Sequence, residues 1–159
     1  MIYRVKEKFW SLGNNFTITD EAGLNCYRVT GKAFSWGDKL SFQAMEGKEL
    51  AFIKQKMMSL MPRYQILKRD TIFAAVTKQF SWLKKKFVLD VPGPNDYLIE
   101  GSFWAHEFEF KRGAKIVATI SKKHWGWTDS YGVKIIDDED DVAILSTCIV
   151  IDQVLHDGD

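Results

Sequence analysis

The chain is 159 residues long, has a formal net charge of +1, and is 46% hydrophobic, 14% aromatic and 27% charged. Its length fits a single domain, which we assign to residues 1–159, and its composition excludes a disordered chain. The charge balance gives no general attraction for nucleic acid, and the high aromatic content favours β-sheet.

A degenerate repeat runs through the chain from its first residues. The full-length copies have an apolar residue, two spacers, a lysine, two more spacers, a serine, a turn and an apolar-polar-apolar triplet, except that Gly126 replaces the serine in the copy with Lys123. A shortened copy, 99–101 with 108–110, lies in the widest interval, so we count six copies. The aligned lysines are Lys8, Lys32, Lys56, Lys78 and Lys123, and the aligned serines are Ser11, Ser35, Ser59 and Ser81.

Each copy predicts a β-hairpin, because turn residues separate two short runs in which apolar residues alternate with polar ones. Six hairpins predict about twelve antiparallel strands over residues 2–136. A twisted sheet of that size tends to close, which removes its exposed edges. The turns within the copies are Gly13-Asn14-Asn15, Gly37-Asp38-Lys39, Pro62-Arg63 and Thr128-Asp129.

The segment after the hairpins predicts one helix over about residues 140–155. Five acidic residues, 137–141, precede its apolar run, and carboxylates at a helix start complement the helix dipole and cap free N–H groups. The apolar residues cover every side, so the helix must be buried all round. A twelve-strand barrel is too wide for its own side chains to fill. We therefore predict a mostly-β fold, a barrel closed around a central apolar C-terminal helix.

The recurring Val-x-x-Lys-x-x-Ser hairpins and the ending at residues 149–157 resemble the LURP-one-related family, especially its small bacterial members, over essentially the whole chain. Through that family the chain is similar to the tubby C-terminal-like group, which includes the phospholipid scramblases. The resemblance implies a twelve-stranded antiparallel barrel around a C-terminal helix, and no agreed biochemical function. Tubby domains bind phosphoinositide head groups and scramblase-like members associate with membranes, but the sequence has no recognisable tubby lipid-binding motif.

The sequence contains no pattern typical of catalysis. Its glycines do not form a phosphate loop, and His106, His124 and His156 lack the partners of a zinc site. The repeated serines indicate a structural role, because a nucleophile would occur once. Glu107 and Glu109 alternate with phenylalanines, as on the solvated face of a strand. We expect no enzyme, no catalytic residue and no cofactor.

The acidic run has two interpretations. Asp137, Glu139 and Asp141 alternate as calcium ligands can, and scramblases have a proposed calcium segment just before their C-terminal helix. However, no glycine follows at the sharp-turn position and no distal glutamate stands at loop spacing. A solvated helix cap is therefore the preferred interpretation.

The candidate binding residues lie at predicted hairpin tips. If the tips share one end of the barrel, that end is basic and aromatic, which suits an anionic head-group surface. The alternative is that the tryptophans line the core and the lysines keep the tips soluble. The candidates are Trp82, Lys84, Lys85, Lys86, Lys39 and Arg63, with Trp36, Lys122, Lys123, Trp125 and Trp127 at comparable positions.

We therefore expect a non-enzymatic binding or scaffold module that contacts anionic phospholipid. The alternatives are a protein-interaction module in signalling or stress response and, less favoured, an enzyme with a pocket at the barrel mouth. The chain start has no signal-peptide pattern, and its longest apolar run, 142–150, is about half of a bilayer span. We expect a cytoplasmic protein that does not cross a membrane. Cys26 and Cys148 do not point to an oxidising compartment, although a disulfide between them stays open.

Overall fold

The computed structural model describes residues 1–6, 15–31, 39–102, 107–122 and 130–156. These ranges hold twelve strands and one helix. The elements are β1 (Ile2–Lys6), β2 (Asn15–Asp20), β3 (Asn25–Gly31), β4 (Lys39–Ala44), β5 (Glu49–Gln55), β6 (Arg63–Lys68), β7 (Thr71–Gln79), β8 (Lys85–Asp90), β9 (Tyr97–Ser102), β10 (Glu107–Arg112), β11 (Lys115–Ser121), β12 (Ser130–Ile135) and α1 (Asp141–His156).

The twelve strands form one closed antiparallel barrel. Every strand pairs with its neighbours in the chain, and β1 pairs with β12 to close the sheet. The backbone of Met1 extends this closure, because its amino group donates to the Ile135 carbonyl at 2.8 Å and its carbonyl accepts from Ile135 N at 2.9 Å. The predicted fold class, a mostly-β barrel with a helix, is confirmed.

Because successive strands alternate in direction, the connections inside the repeat units lie at one end of the barrel. We call this the tip end. The connections between units lie at the other end, where residues 136–140 lead from β12 into α1, and we call it the helix-entry end. Two tips are described, residues 56–62 and 80–84. The turns predicted around residues 13–14, 37–38 and 128–129, and the aligned residues Lys8, Ser11, Lys32, Ser35 and Lys123, lie outside the described residues.

Four strand pairs contain a register shift at the same place in the repeat. The shifts follow Ile18, Phe42, Ile66 and Phe110, each an inward-facing apolar residue in the second strand of a unit. A β-bulge bends its strand and increases the local twist. The sequence repeat therefore also places a bend at the same position in four units, and such bends help a sheet to close into a barrel.

The barrel interior is filled by α1. All helix residues from 143 to 151 are buried, together with the inward-facing side chains of the strands. The run includes Ser146 and Thr147, and the Thr147 hydroxyl donates to the carbonyl of Ala143 at 2.8 Å, which satisfies a polar group inside the core. A helix that is apolar on every side is thus buried on every side, as the sequence predicted.

Candidate functional site

Two neighbouring tips expose large apolar side chains to solvent. Residues 56–62 connect β5 to β6, residues 80–84 connect β7 to β8, and the two hairpins pair through β6 and β7. A 3.0 Å hydrogen bond from Lys78 N to the carbonyl of Pro62 also joins them. The exposed apolar residues of these tips, which we call the tip surface, are Met57, Met58, Leu60, Phe80, Trp82 and Leu83.

Trp82 is the most prominent aromatic residue of the tip surface. Its side chain is 90% exposed, and its ring packs edge-on against Phe80 with the ring centroids 5.7 Å apart. Trp82 does not line the core, so the alternative that placed the tryptophans there is wrong for this residue. Trp36, Trp125 and Trp127 lie outside the described residues.

Met58 has a backbone that does not favour methionine. Its φ is 63°, in the left-handed region, and its side chain is fully exposed. A left-handed conformation costs a residue with a Cβ about 1–2 kcal/mol, and glycine or asparagine adopts it more readily. Neither the turn nor the core therefore accounts for a methionine here.

The structure brings together only some of the predicted basic residues. Lys84 and Lys85 are exposed beside Trp82. Lys39 and Arg63 begin β4 and β6, so they are also at the tip end, but both are half-buried. Among the tips, the first one adds an exposed lysine that the sequence did not single out for binding, Lys56.

Lys86 occupies a different environment from its two neighbours in the run. It lies on the outer wall, where its ammonium group is 2.7 Å from the carboxylate of Glu100 on β9. Lys111 is 3.8 Å from the same carboxylate. Strand β8 starts at Lys85, so Lys86 is a strand residue, and its side chain pairs with a carboxylate on the neighbouring strand. This ion pair partly neutralises the Lys86 charge in the protein without a ligand.

A groove of about 500 Å³ opens along β9, β10 and β11, next to the second tip. A smaller cavity of about 210 Å³ lies under that tip and shares Lys84, Gly101 and Ser102 with the groove. The groove is a candidate for catalysis, because it holds the carboxylates of Glu100, Glu107 and Glu109 together with serine and threonine hydroxyls.

Two of its three carboxylates, Glu100 and Glu109, are paired with lysines. Besides the contacts of Glu100, Glu109 lies 3.1 Å from Lys111. The hydrogen bond from Lys86 holds the pKa of Glu100 below its ordinary value, so this group stays ionised at neutral pH. A general acid or base works best with a pKa near the operating pH. The groove geometry therefore does not favour acid–base chemistry.

The acidic segment at the helix-entry end makes specific contacts with the barrel. Asp140 caps α1, since its carboxylate accepts from Ala143 N at 3.0 Å, as the sequence predicted for this run. The other contacts are Tyr3 to Asp141 at 2.5 Å, Tyr97 to Glu139 at 2.7 Å, Lys68 to Asp140 at 2.5 Å and Arg112 to Glu139 at 3.1 Å. The side chain of Glu139 is only 7% exposed, so the expectation of a solvated cap is wrong for this residue.

The three calcium candidates are therefore directed to different places. Glu139 contacts β9 and β10, Asp141 contacts β1, and Asp137 is exposed. Within the described ranges, no group of three or more histidine, cysteine or acidic side chains is placed to hold a metal ion. A calcium site at Asp137, Glu139 and Asp141 stays the less favoured interpretation of the acidic run.

Two further findings concern the cysteines and the helix of the described residues. Cys26 and Cys148 are both unpaired, and burial raises the pKa of the Cys148 thiol well above its usual value. In the part of the chain that the structure describes, no helix has the length and apolar character needed to cross a bilayer.

Comparisons with known proteins give a family match, two relatives and one solved structure of the same fold. A family model described as LURP-one-related matches residues 1–152. The chain is 36% identical over 155 residues to "Uncharacterized protein YxjI" of Bacillus subtilis (strain 168), covering 98% of this chain and 94% of that protein. It is 27% identical over 160 residues to "Protein LURP-one-related 15" of Arabidopsis thaliana, covering 88% and 73% of the two chains. An X-ray structure of a protein from Arabidopsis thaliana has the same fold, with a TM-score of 0.69 at 17% identity over 98% of this chain and 90% of that one.

Proposed function

The chain belongs to the LURP-one-related family, and from that premise we propose that it is a non-enzymatic binding module that docks on anionic phospholipid membranes through its tip surface. The observation that carries this proposal is the set of six exposed apolar side chains on two neighbouring tips. Contiguous exposed apolar surface on a protein typically marks an interaction site. Trp82 adds the amphipathic ring that favours the membrane–water interface.

The charges around the tip surface support an anionic partner. Both tips contain a lysine, Lys56 or Lys84, and neither contains an acidic residue. Lys85 follows directly and is exposed. Each lysine near an anionic membrane surface contributes roughly 1 kcal/mol of attraction.

The opposite end of the barrel supports a defined orientation. The helix-entry connections carry most of the acidic residues of the connections, and these would face away from an anionic membrane. The exposed ones are Glu21, Glu46, Asp70, Asp96, Asp137 and Asp138, whereas Glu139 and Asp140 are paired with Arg112 and Lys68. The separation of charge would turn the tips toward the bilayer before contact.

The non-enzymatic part of the proposal is supported by the filled interior and by the groove. The core helix occupies the space that an internal substrate would need. In the groove, Glu100 and Glu109 are engaged by lysines. We place the membrane contact on the cytoplasmic side, where unpaired cysteines such as Cys26 are the rule.

Vesicle flotation tests the proposal. The wild-type protein is mixed with vesicles of phosphatidylcholine alone or of phosphatidylcholine with phosphatidylserine, at low and high salt. We expect flotation with the anionic vesicles, weakened by salt. The double substitution Lys84→Glu with Lys85→Glu should lower the affinity at least about thirtyfold, from two lysines at roughly 1 kcal/mol each.

The matched control changes the same charges at the other end of the barrel. Lys48→Glu with Lys115→Glu alters two exposed lysines of the helix-entry end, so it should leave vesicle binding unchanged. Lys86 is left intact in both proteins, because its ion pair with Glu100 belongs to the wall. Equal binding by the two double variants, or no binding by the wild type, would overturn the proposal.

A further inference from the structure

The first tip concentrates the methionines of the chain. Three of the five, Met57, Met58 and Met61, lie within residues 56–62. Met57 is 51% exposed and Met58 is fully exposed, whereas Met61 is half-buried. Methionine therefore supplies two of the six exposed apolar side chains of a surface that, under the proposed function, enters the head-group region.

Oxidation is the reaction that separates methionine from other apolar side chains. A hydroperoxide ROOH transfers its terminal oxygen to the thioether: the sulfur lone pair attacks that oxygen, the O–O bond breaks, and the proton passes to the leaving oxygen. The products are a sulfoxide and the alcohol ROH, which is water when the oxidant is hydrogen peroxide. The sulfur is oxidised by two electrons and the peroxide is reduced by two. The product is a polar side chain, and methionine sulfoxide reductases reverse the change.

The fold is arranged so that this reaction alters the tip and spares the core. The buried core of the described residues contains no methionine. Its one sulfur group, Cys148, is buried in α1 with a raised pKa and is kept as a thiol, which reacts slowly with peroxide. The sulfoxides would form on side chains that contribute little to packing.

We propose that Met57 and Met58 form a reversible oxidation switch on the tip surface, at which hydroperoxides convert both side chains to sulfoxides and release the protein from the membrane. The inference rests on the proposed function. It adds a modification site at Met57 and Met58 and names hydroperoxides as the oxidants. Oxidation weakens membrane binding, because the sulfoxide oxygens must be desolvated to enter the interface.

The experiment combines peptide mass spectrometry with vesicle flotation. The protein is treated with hydrogen peroxide, the oxidation of each methionine is followed with time, and binding to phosphatidylserine-containing vesicles is measured before and after. Met57 and Met58 should oxidise faster than the half-buried Met45 and Met61. Binding should fall at least tenfold, as a sulfoxide at two tip positions removes apolar contact, and a methionine sulfoxide reductase should restore it.

Two variants and one internal control make the result specific. Met57→Leu with Met58→Leu keeps the tip apolar and should bind before and after peroxide. Met57→Gln with Met58→Gln should bind weakly without any oxidant. Met1 is 64% exposed at the helix-entry end and oxidises in all three proteins, so it cannot account for a difference between them.

The outcomes separate the two proposals. If untreated wild type does not bind anionic vesicles, the proposed function fails and the switch fails with it. If untreated protein binds and fully oxidised protein binds equally well, the switch alone is overturned. Loss of binding by the oxidised leucine variant would overturn it too, because that variant has no thioether at either position.

Discussion

Tyr97 donates a 2.7 Å hydrogen bond to the carboxylate of Glu139, which joins a barrel strand to the segment that begins the central helix. Arg112 contacts the same carboxylate at 3.1 Å and lies over the Tyr97 ring, with the guanidinium carbon 4.3 Å from the ring centroid. The helix is therefore held by apolar packing along its length and by directed polar contacts at its start.

The first prediction concerns this polar contact. Tyr97→Phe removes the hydroxyl and leaves the ring, so the nearly buried Glu139 loses this donor and Arg112 loses its hydrogen bond to the same hydroxyl. We expect a loss of about 1–2 kcal/mol in the free energy of unfolding, measured by urea denaturation. Glu139→Ala should cost more, because it removes both the acceptor of the Tyr97 hydroxyl and the anionic partner of Arg112. An unchanged urea midpoint for Tyr97→Phe would contradict this account.

The second prediction concerns alkaline pH. Burial, and next the hydrogen bond to a carboxylate, raise the pKa of Tyr3 and of Tyr97 well above the ordinary value of 10.0. Each tyrosine has a higher pKa in the folded state than in the unfolded state. Its contribution to stability is therefore fully present below the unfolded-state pKa, and it is lost as the pH rises from there through the folded-state pKa. Above about pH 10, the free energy of unfolding should fall by roughly 1.4 kcal/mol per pH unit for each tyrosine.

The alkaline measurement is a series of urea titrations, with tyrosinate absorbance recorded in parallel. Ionisation of the two tyrosines should coincide with unfolding. Tyr3→Phe and Tyr97→Phe should each reduce the dependence of stability on pH. A dependence that is the same in both variants and the wild type would show that these hydroxyls do not control alkaline stability.

The third prediction concerns Gly101 on β9. A Cβ added there would overlap the backbone oxygen of Glu107 and the ring of Phe108, which is paired opposite it. Gly101→Ala should therefore destabilise the barrel by about 1–3 kcal/mol or more, as overpacking does. Gly23→Ala is the control: its φ is 83° with nothing within 4 Å, so only the left-handed strain of about 1 kcal/mol is expected. Thermal denaturation should rank the two in that order.

The fourth prediction separates folding from binding at Met58. Met58→Asn replaces a methionine with a residue that tolerates the left-handed conformation, so the free energy of unfolding should rise by about 0.5 kcal/mol. Binding to anionic vesicles should fall severalfold, because a fully exposed apolar side chain is lost from the tip surface. A more stable variant that binds as well as the wild type would remove Met58 from the proposed contact.

The sequence identified part of the candidate site, and its misses have a physical reason. Trp82, Lys84 and Lys85 were found because aromatic and basic residues in a predicted turn are conspicuous. Met58 and Leu60 were missed, because an apolar residue in a linear pattern is normally assigned to the core. The available signal was an apolar run directly before the predicted turn at Pro62-Arg63.

The fold was determined largely by the sequence itself. The alternation of apolar residues defines the inward face of each strand, the repeat defines the hairpins, and the all-round apolar segment after the acidic run defines α1. These are local patterns, and each depends only on residues close in the chain. The same repeat placed the four register shifts at equivalent positions, as at Ile18 and Phe42.

Only the tertiary structure decided which distant residues meet. It paired β1 with β12, brought Tyr3 to Asp141, and set residues 56–62 beside residues 80–84 at one end of the barrel. It also divided the lysine run, leaving Lys85 in solvent and placing Lys86 against Glu100. Exposure and ion pairing depend on closure of the sheet around the helix. This closure brings together residues that are far apart in the chain, and a pattern in the linear sequence does not give the distances between them.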